Sequence, residues 1–345
     1  MNSRNPTSRN PAARRNPTER RDRMHREELT RWVGDTDAFL DRCWRTTPAV
    51  FRPGPGGGPA APLTLEEIDT AVAGGLLRVP HLEIARAGDP VHSSRYTRSR
   101  TVAGVTTPGY ADPDRVRELL AEGASLVLRN VEHWHPATRA LTRALEGELG
   151  RRVEAFFFVT PPGAQGLELH RDDADVLLLQ HTGSKHWTVR GGPGDADWKP
   201  GAVADGGPAL LTDTLRPGEV LYIPRGFAHE AVGGEGLSSH LSLTIREVGT
   251  QQLFTSLQRL LLGSLPLPSR PPADDDLHAA AELLLDRFRA RLPELTAAAV
   301  VEHARRAQLA EGAIPGLGSG PGIAALAAHL GTARPAAPAP AEGNP

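Results

Sequence analysis

A histidine and an aspartate one residue apart, His170 and Asp172, are the side chains of this sequence with the clearest chemical meaning. Protein kinases carry the same His-Arg-Asp triplet in a catalytic loop that also has an asparagine five residues after the aspartate and a later Asp-Phe-Gly. Here Leu177 takes the place of that asparagine, and Asp-Phe-Gly occurs nowhere. A glycine-rich phosphate loop followed by a strand lysine is also missing. We therefore interpret the pair as two metal ligands rather than as part of a kinase.

A second imidazole can complete such a metal site. Side chains i and i+2 of a strand point to the same face, so His170 and Asp172 can bind one ion. His229 follows a predicted strand, 219–224, and Gly226, which suits a tight turn that would bring His229 back beside the first strand. Two histidines and one carboxylate on one face are the ligand set of mononuclear non-haem Fe(II) oxygenases, which leaves positions open for a co-substrate and O₂.

Two other carboxylates compete with Asp172 for the third ligand position. We expect Asp173 to point to the opposite face of the strand, and Asp175 to lie out of reach if the strand bends. A single histidine or aspartate in a strand is more commonly a surface or hydrogen-bonded residue. The metal interpretation therefore depends on the three side chains meeting in space.

The elements that would position these residues are short β-rich runs, each bounded by Gly, Pro or Asp. Many short strands at close spacing predict a β-sandwich or barrel. The predicted strands are 125–131, 153–160, 175–181, 186–190, 209–215, 219–224 and 239–245.

Apolar residues at helical spacing precede and follow this β-rich region, so the predicted fold class is a mainly β core with α flanks. One helix is expected over residues 26–43, and another begins at the capping-box residues Thr64 and Glu67. Further helices are predicted around 116–120, 141–149, 253–265, 276–292 and in a stretch up to about residue 330.

Composition narrows the class of protein. The 345 residues include 39 basic and 41 acidic ones, so the overall charge gives no case for nucleic-acid binding. No apolar run is long enough for a membrane span. The single Cys43 excludes an internal disulfide and fits a reducing, cytoplasmic location.

The stretch GAQGLELHRDDADVLLLQHTGSKHWTV, followed by PGEVLYIPRGFAHEA, resembles the JmjC/cupin-type 2-oxoglutarate oxygenases, in the branch of bacterial ribosomal-oxygenase-like hydroxylases. Weaker similarity extends from Trp44 and Pro48 to about Thr250. The resemblance implies a double-stranded β-helix, or jelly roll, with Fe(II) at its open end and 2-oxoglutarate as co-substrate. Aspartate at the carboxylate position is common in the hydroxylases of the family. The implied metal ligands are His170, Asp172 and His229.

The resemblance also implies a co-substrate site. The family places a basic residue fifteen positions after the first ligand, to bind the distal carboxylate of 2-oxoglutarate. Lys185 stands there, in a chain whose only other lysine is Lys199. A carboxylate inside a barrel needs a cationic partner because burying it unpaired is costly. A solvated turn lysine after Gly183 is the alternative interpretation.

Other co-substrate positions match the family less uniformly. Thr244 corresponds to a small hydroxyl residue that can contact 2-oxoglutarate, with His240 and Ser242 as nearby alternatives. Family members commonly have Asn and Tyr on the strand before the first ligand, where this chain has Phe156 and Phe158. Two polar contacts with the co-substrate are thereby lost.

The function implied is hydroxylation of a side chain in a protein or peptide, either a ribosomal protein or a biosynthetic precursor peptide. A small-molecule hydroxylase of the same class is one alternative. Another is a cupin-fold metal-binding or scaffold protein without turnover, for which Phe156 and Phe158 are the motive. The predicted regions are a disordered Arg/Pro-rich tail (1–23), an N-terminal helical or mixed flank (24–110), the JmjC/cupin catalytic core (111–250), a C-terminal helical region (251–332) and a disordered tail (333–345).

The C-terminal helical region is a candidate homodimer contact, as the resemblance also suggests. Its leucines repeat on one helical face, and packing against the protein's own barrel is the alternative. The repeating apolar residues are Leu253, Leu257, Leu260, Leu261, Leu283, Leu284 and Phe288.

Overall fold

The structure is a computed structural model that describes residues 26–54, 58–263, 265, 270 and 273–312. The two predicted tails, 1–23 and 333–345, lie outside the described residues, and so does the end of the helical stretch predicted up to about residue 330. Among the described helices, none is both long enough and apolar enough to cross a membrane.

The strands follow the predicted runs closely, and each run named from the sequence contains one. In chain order they are β1 (Ala49–Phe51), β2 (Leu82–Ala85), β3 (Thr97–Val102), β4 (Val105–Ala111), β5 (Ser125–Leu128), β6 (Arg152–Thr160), β7 (His170–Arg171), β8 (Ala174–Thr182), β9 (Lys185–Arg190), β10 (Gly201–Ala202), β11 (Ala209–Leu215), β12 (Val220–Ile223), β13 (His229–Gly233) and β14 (Ser238–Arg246).

These strands build two antiparallel sheets and a separate hairpin of β3 and β4. The larger sheet has seven strands in the order β1-β12-β8-β14-β6-β5-β2, and the smaller has five in the order β10-β7-β13-β9-β11. Sequence neighbours such as β8 and β9 lie in different sheets, which is how a jelly roll winds. The predicted double-stranded β-helix with α flanks is confirmed.

Eight helices are described outside the sheets. They are α1 (Glu27–Val33), α2 (Thr36–Arg42), α3 (Leu65–Ala73), α4 (Pro113–Ala121), α5 (Pro136–Leu149), α6 (Thr250–Leu262), α7 (Asp274–Arg291) and α8 (Ala297–Gly312). Short 3₁₀ turns cover Ser93–Arg95, Val131–His133 and Leu292–Glu294.

The prediction of a single helix over residues 26–43 is wrong, because the chain breaks between α1 and α2. Gly34 has a φ of 75°, which ends the first helix. Asp35 then caps the second helix by accepting a hydrogen bond from the Ala38 backbone N–H (2.9 Å). The capping box at Thr64 is confirmed, since its hydroxyl and the Glu67 carboxylate exchange hydrogen bonds with each other's backbone N–H.

Alternate side chains of a strand point to opposite faces of the sheet, one towards the flanking helices and the other towards the cavity between the sheets. On β6, Phe157 and Val159 belong to the main hydrophobic core with the flanking helices, whereas Phe156 and Phe158 line the interior between the sheets. A smaller apolar cluster fills part of that interior. It contains Val176, Leu178, Trp187, Val189, Leu215, Leu221 and Ile223.

One carboxylate next to the end of β14 links the last described C-terminal helix, α8, to the core. Glu247 accepts hydrogen bonds from the guanidinium groups of Arg305 on α8 (2.7 Å), Arg45 (2.7 Å) and Arg151 (2.8 Å). Burial acts to raise the pKa of Glu247, but the hydrogen bonds from Arg305 and Arg45 outweigh it and hold that pKa well below its usual range. This cluster joins both flanks to the β core.

Candidate functional site

The structure brings His170, Asp172 and His229 together at one end of the smaller sheet. Their candidate ligand atoms all lie within 4.8 Å of one another. His229 Nε2 is 3.5 Å from one Asp172 carboxylate oxygen, and His170 Nε2 is 4.0 Å from the other. The two imidazole ring centroids are 4.3 Å apart. A single ion can therefore contact all three side chains.

The register between two strands, together with a turn, places His229 beside His170 and Asp172. His229 on β13 is the direct antiparallel partner of His170 on β7. The turn before His229 contains Gly226 with a φ of 80°, and a β-carbon there would lie 2.9 Å from Pro193. The Gly226 backbone N–H donates to the Asp172 carbonyl (2.9 Å), which holds the turn against the first ligand pair.

Backbone carbonyls orient both imidazoles. His170 Nδ1 lies 2.7 Å from the Glu168 carbonyl, and His229 Nδ1 lies 3.0 Å from the Phe227 carbonyl. A carbonyl can only accept, so Nδ1 carries the proton and Nε2 presents its lone pair towards Asp172. Burial, and then the nearby His170, lower the pKa of His229 to about 4, so its imidazole is neutral at neutral pH. Neutral imidazoles and a carboxylate are the donors that Fe(II) accepts in this arrangement, and the residues fit such an ion.

The two competing carboxylates have other partners. Asp173 forms an ion pair with Arg246. Asp175 is fully buried, where it accepts hydrogen bonds from the Tyr222 hydroxyl (2.6 Å) and the Arg225 backbone N–H (3.2 Å). Among the carboxylates considered from the sequence, Asp172 is the one in the described cluster with both histidines.

A cavity of about 580 Å³ extends from this cluster into the space between the sheets. Its volume lies in the range of small-molecule sites. Lys185 lines the buried end and is 5% exposed. Its ammonium group donates to the Thr160 hydroxyl (3.0 Å) and lies 5.9 Å from the Phe158 ring centroid and 5.6 Å from that of Trp187.

Lys185 has no counter-charge in the part of the chain that the structure describes, because no Asp or Glu there forms an ion pair with it. Burial lowers the pKa of this lysine to about 7. An ammonium group in such surroundings is stabilised by an incoming anion, since the anion supplies the missing opposite charge. The buried end of the cavity is therefore suited to a carboxylate.

The other residues named from the sequence also reach the cavity. Thr244, Ser242 and His240 occupy alternate positions of β14, and all three line it, as do Phe156 and Phe158. The Thr244 hydroxyl donates weakly to the Glu154 carbonyl (3.4 Å). Both phenylalanines face the cavity, and the loss of two polar contacts with the co-substrate stays a prediction.

Several cavity residues were not identified from the sequence. Thr160 and the residue that donates to it, Ser125 (3.1 Å), hold the end near Lys185. At the mouth, Glu83 on β2 pairs with Arg129 (2.6 Å), whose guanidinium lies 5.8 Å from the Phe156 ring. These residues come from distant strands, so no local spacing could have linked them to the histidines.

Comparison with known proteins finds a family model and relatives that are similar to this region. Residues 133–253 match the family model described as JmjC domain. Ribosomal oxygenase 1 of Gallus gallus is 27% identical over 219 residues, which cover 61% of this chain and 35% of that protein. The bifunctional lysine-specific demethylase and histidyl-hydroxylase NO66 of Drosophila simulans is 30% identical over 162 residues, 45% of this chain and 19% of that protein. The chain thus matches about a third or less of each relative's length.

The fold is also found among solved structures. The X-ray structure of E. coli ycfD superimposes with a TM-score of 0.51 at 21% identity and covers 75% of this chain and 70% of that one. At this identity the similarity establishes the fold alone.

We predict that His170→Ala, Asp172→Ala and His229→Ala each abolish metal binding with little change in melting temperature, because polar side chains at a cavity mouth contribute little to the core. Anaerobic Fe(II) titration and thermal unfolding measure the two effects. Asp175→Ala is the contrasting variant. It should keep the metal site but lower stability by about 1–3 kcal/mol, since it leaves buried donors unsatisfied. Metal binding that survived Asp172→Ala and vanished in Asp175→Ala would reverse the ligand assignment.

Proposed function

We propose that this chain hydroxylates a side chain of a protein or peptide, as a member of the JmjC/cupin-type Fe(II)/2-oxoglutarate oxygenases of the ribosomal oxygenase branch. The observation that carries the proposal is the cluster of His170, Asp172 and His229 at the mouth of a cavity whose buried end holds Lys185, a lysine without a counter-charge among the described residues. A metal site and an anion site at the two ends of one cavity are what this co-substrate requires.

We assign His170, Asp172 and His229 as the iron ligands. Bound Fe(II) supplies the activation of O₂, coupled to decarboxylation of 2-oxoglutarate to succinate and to oxidation of a substrate C–H bond. The chain orients the donors: the Glu168 and Phe227 carbonyls hold Nδ1–H of the two rings, so that neither ring can rotate freely.

We assign Lys185 as the partner of the distal carboxylate of 2-oxoglutarate. Thr160 positions the ammonium group by accepting one of its hydrogen bonds. Phe158 and Trp187 flank it and exclude water, which strengthens its attraction to an anion. Thr244 on β14 also lines the cavity and is the proposed hydroxyl contact nearer the mouth.

A polypeptide substrate is favoured by the mouth of the cavity. Charged residues line it, including Glu83, which pairs with Arg129, and Arg246, which donates to the Glu154 carboxylate (2.9 Å). The described relatives are named for ribosomal oxygenase and histidyl-hydroxylase activities. A ribosomal protein is the first candidate and would be met in the cytoplasm; a biosynthetic precursor peptide is the second. A small-molecule hydroxylase and a scaffold protein without turnover remain the alternatives.

The test of turnover uses purified protein with Fe(II), 2-oxoglutarate and an extract peptide pool. We expect succinate release together with the mass gain of one oxygen atom on a peptide. The Asp172→Ala variant is the control and should give neither product. Succinate release without a modified peptide would point to the small-molecule alternative, and no succinate at all would favour the scaffold.

We predict that Lys185→Ala weakens 2-oxoglutarate binding about 10²–10³-fold, because removing one partner of a buried ion pair typically costs about 3–5 kcal/mol. Iron affinity should change little. Lys185→Arg should retain part of the binding, since a guanidinium also pairs with carboxylates but differs in shape. The exposed Lys199 offers the matched control. Equal effects of Lys185→Ala and Lys199→Ala in anaerobic titrations would show that the co-substrate binds elsewhere.

We also propose that the C-terminal helical region forms a homodimer contact. Every described residue of α7 is at least partly exposed, including Leu277 (58%), Leu283 (45%) and Leu285 (51%). Apolar helix faces of this kind commonly bind another protein surface. Of the residues named from the sequence, Leu261 is instead buried within the protein itself (5% exposed).

Light scattering at micromolar concentration should give the mass of a dimer. The double variant Leu277→Glu/Leu285→Glu should shift it to a monomer, because two carboxylates would then have to be buried in the contact. Leu76→Glu alters a more exposed leucine (85%) in the N-terminal flank and should leave the dimer intact. A monomeric mass for the unmodified protein would reject the proposal.

A further inference from the structure

The cavity walls are arranged in layers along β14, and these layers separate its polar residues. His240 pairs with Phe158 on β6 and with Gln180 on β8, whereas Thr244 pairs with Glu154 and Val176. Four residues of extended strand span roughly 13 Å. His240 and Thr244 therefore cannot both contact one small carboxylate.

The layer at the buried end contains both Lys185 and His240. The imidazole of His240 lies flat against the Phe158 ring, with centroids 4.7 Å apart and planes within 3°. It meets the Trp187 ring edge-on at 5.3 Å. Lys185 lies over the same two aromatic rings, so the ammonium and the imidazole share one pair of neighbours.

The His240 side chain is buried (2% exposed), and its imidazole, including the buried Nδ1, forms no hydrogen bond within the described part of the chain. An imidazole that is removed from water without a partner loses free energy, and such groups are usually found where a ligand or a water supplies the bond. Its flat contact with Phe158 fixes the plane of the ring. A polar group held in this way at a cavity wall is positioned for recognition.

We propose that His240 is a second recognition residue for the distal carboxylate of the co-substrate, donating an imidazole N–H to the anion that pairs with Lys185. In this chain it supplies a polar contact on β14 where Phe156 and Phe158 on β6 supply none. Lys185 acts electrostatically on His240, which places the two groups close together. Burial, and then the nearby Lys185, lower the pKa of His240, so the ring is neutral and donates without adding a second positive charge.

This inference rests on the proposed function, because it assumes that a 2-oxo dicarboxylate binds the cavity. Its test is a binding measurement rather than an activity assay. Anaerobic calorimetry with Mn(II)-loaded protein compares 2-oxoglutarate with 2-oxobutyrate, which has the same metal-binding end but lacks the distal carboxylate. The variants are His240→Phe, which keeps a stacked ring without a donor, and His240→Gln, which restores an N–H.

We expect His240→Phe to weaken 2-oxoglutarate binding about tenfold or more, the usual effect of losing a hydrogen bond to a charged group. Binding of Mn(II) and of 2-oxobutyrate should be unchanged, and His240→Gln should recover part of the loss. His186→Phe is the matched control, because His186 is exposed on β9 and contacts Thr214 (2.9 Å) outside the cavity. If His240→Phe does not fold, His240→Leu provides the same comparison.

Three results would overturn the inference. Unchanged 2-oxoglutarate affinity in His240→Phe would remove His240 from the recognition site. Equal losses for 2-oxoglutarate and 2-oxobutyrate would show a structural role only. Failure of the unmodified, Mn(II)-loaded protein to bind 2-oxoglutarate would instead reject the co-substrate assignment, and the role of His240 with it.

Discussion

One antiparallel pairing, His229 on β13 opposite His170 on β7, places the candidate metal site. A shift of one residue in this register would turn His229 to the other face of the sheet and separate it from Asp172. Several contacts outside the pair prevent such a shift. The Gly226 turn is hydrogen-bonded to the Asp172 carbonyl, and the Arg171 guanidinium donates to the Gly191 carbonyl (2.8 Å). The geometry of the site is therefore a property of the sheet.

The cavity retains polar groups that an ordinary barrel core would replace with apolar ones. Among the described residues Lys185 lacks a counter-charge and the His240 imidazole lacks a hydrogen bond, and both lie against the rings of Phe158 and Trp187. Both conditions lower stability in the absence of a ligand. Binding of a carboxylate removes both penalties at once, which is a physical reason for such residues to be kept in a co-substrate site.

The flanks contribute to the site as well as covering the core. β2 and β5 extend the larger sheet and provide one wall of the cavity, including Glu83 and Ser125. Glu247, next to the end of β14, accepts hydrogen bonds from Arg305 of α8 and from Arg45 of the N-terminal flank. The cavity is therefore lined by residues of the N-terminal flank as well as by residues of the β core.

Local patterns in the sequence predict much of this arrangement. Short β-rich runs bounded by Gly, Pro or Asp predicted the strands, because β-forming and turn-forming preferences act locally. The spacing of His170, Asp172 and Lys185, together with the distal His229, indicated the chemistry through the family resemblance. The helix break at Gly34 was missed, because apolar spacing continues across it and only the positive φ reveals the break.

Pairing between strands that are distant in the chain determined the other features of the site. The sequence by itself determined the fold class, the candidate ligand types and the family to which they point, since these follow from residue type and short-range spacing. Only the tertiary structure placed Asp175 with Tyr222 and Asp173 with Arg246, away from the metal cluster. It also put His240 beside Phe158 and Lys185, while Thr244 lies farther along β14. Which residues share a layer depends on the register between strands distant in the chain, and no local pattern specifies that register.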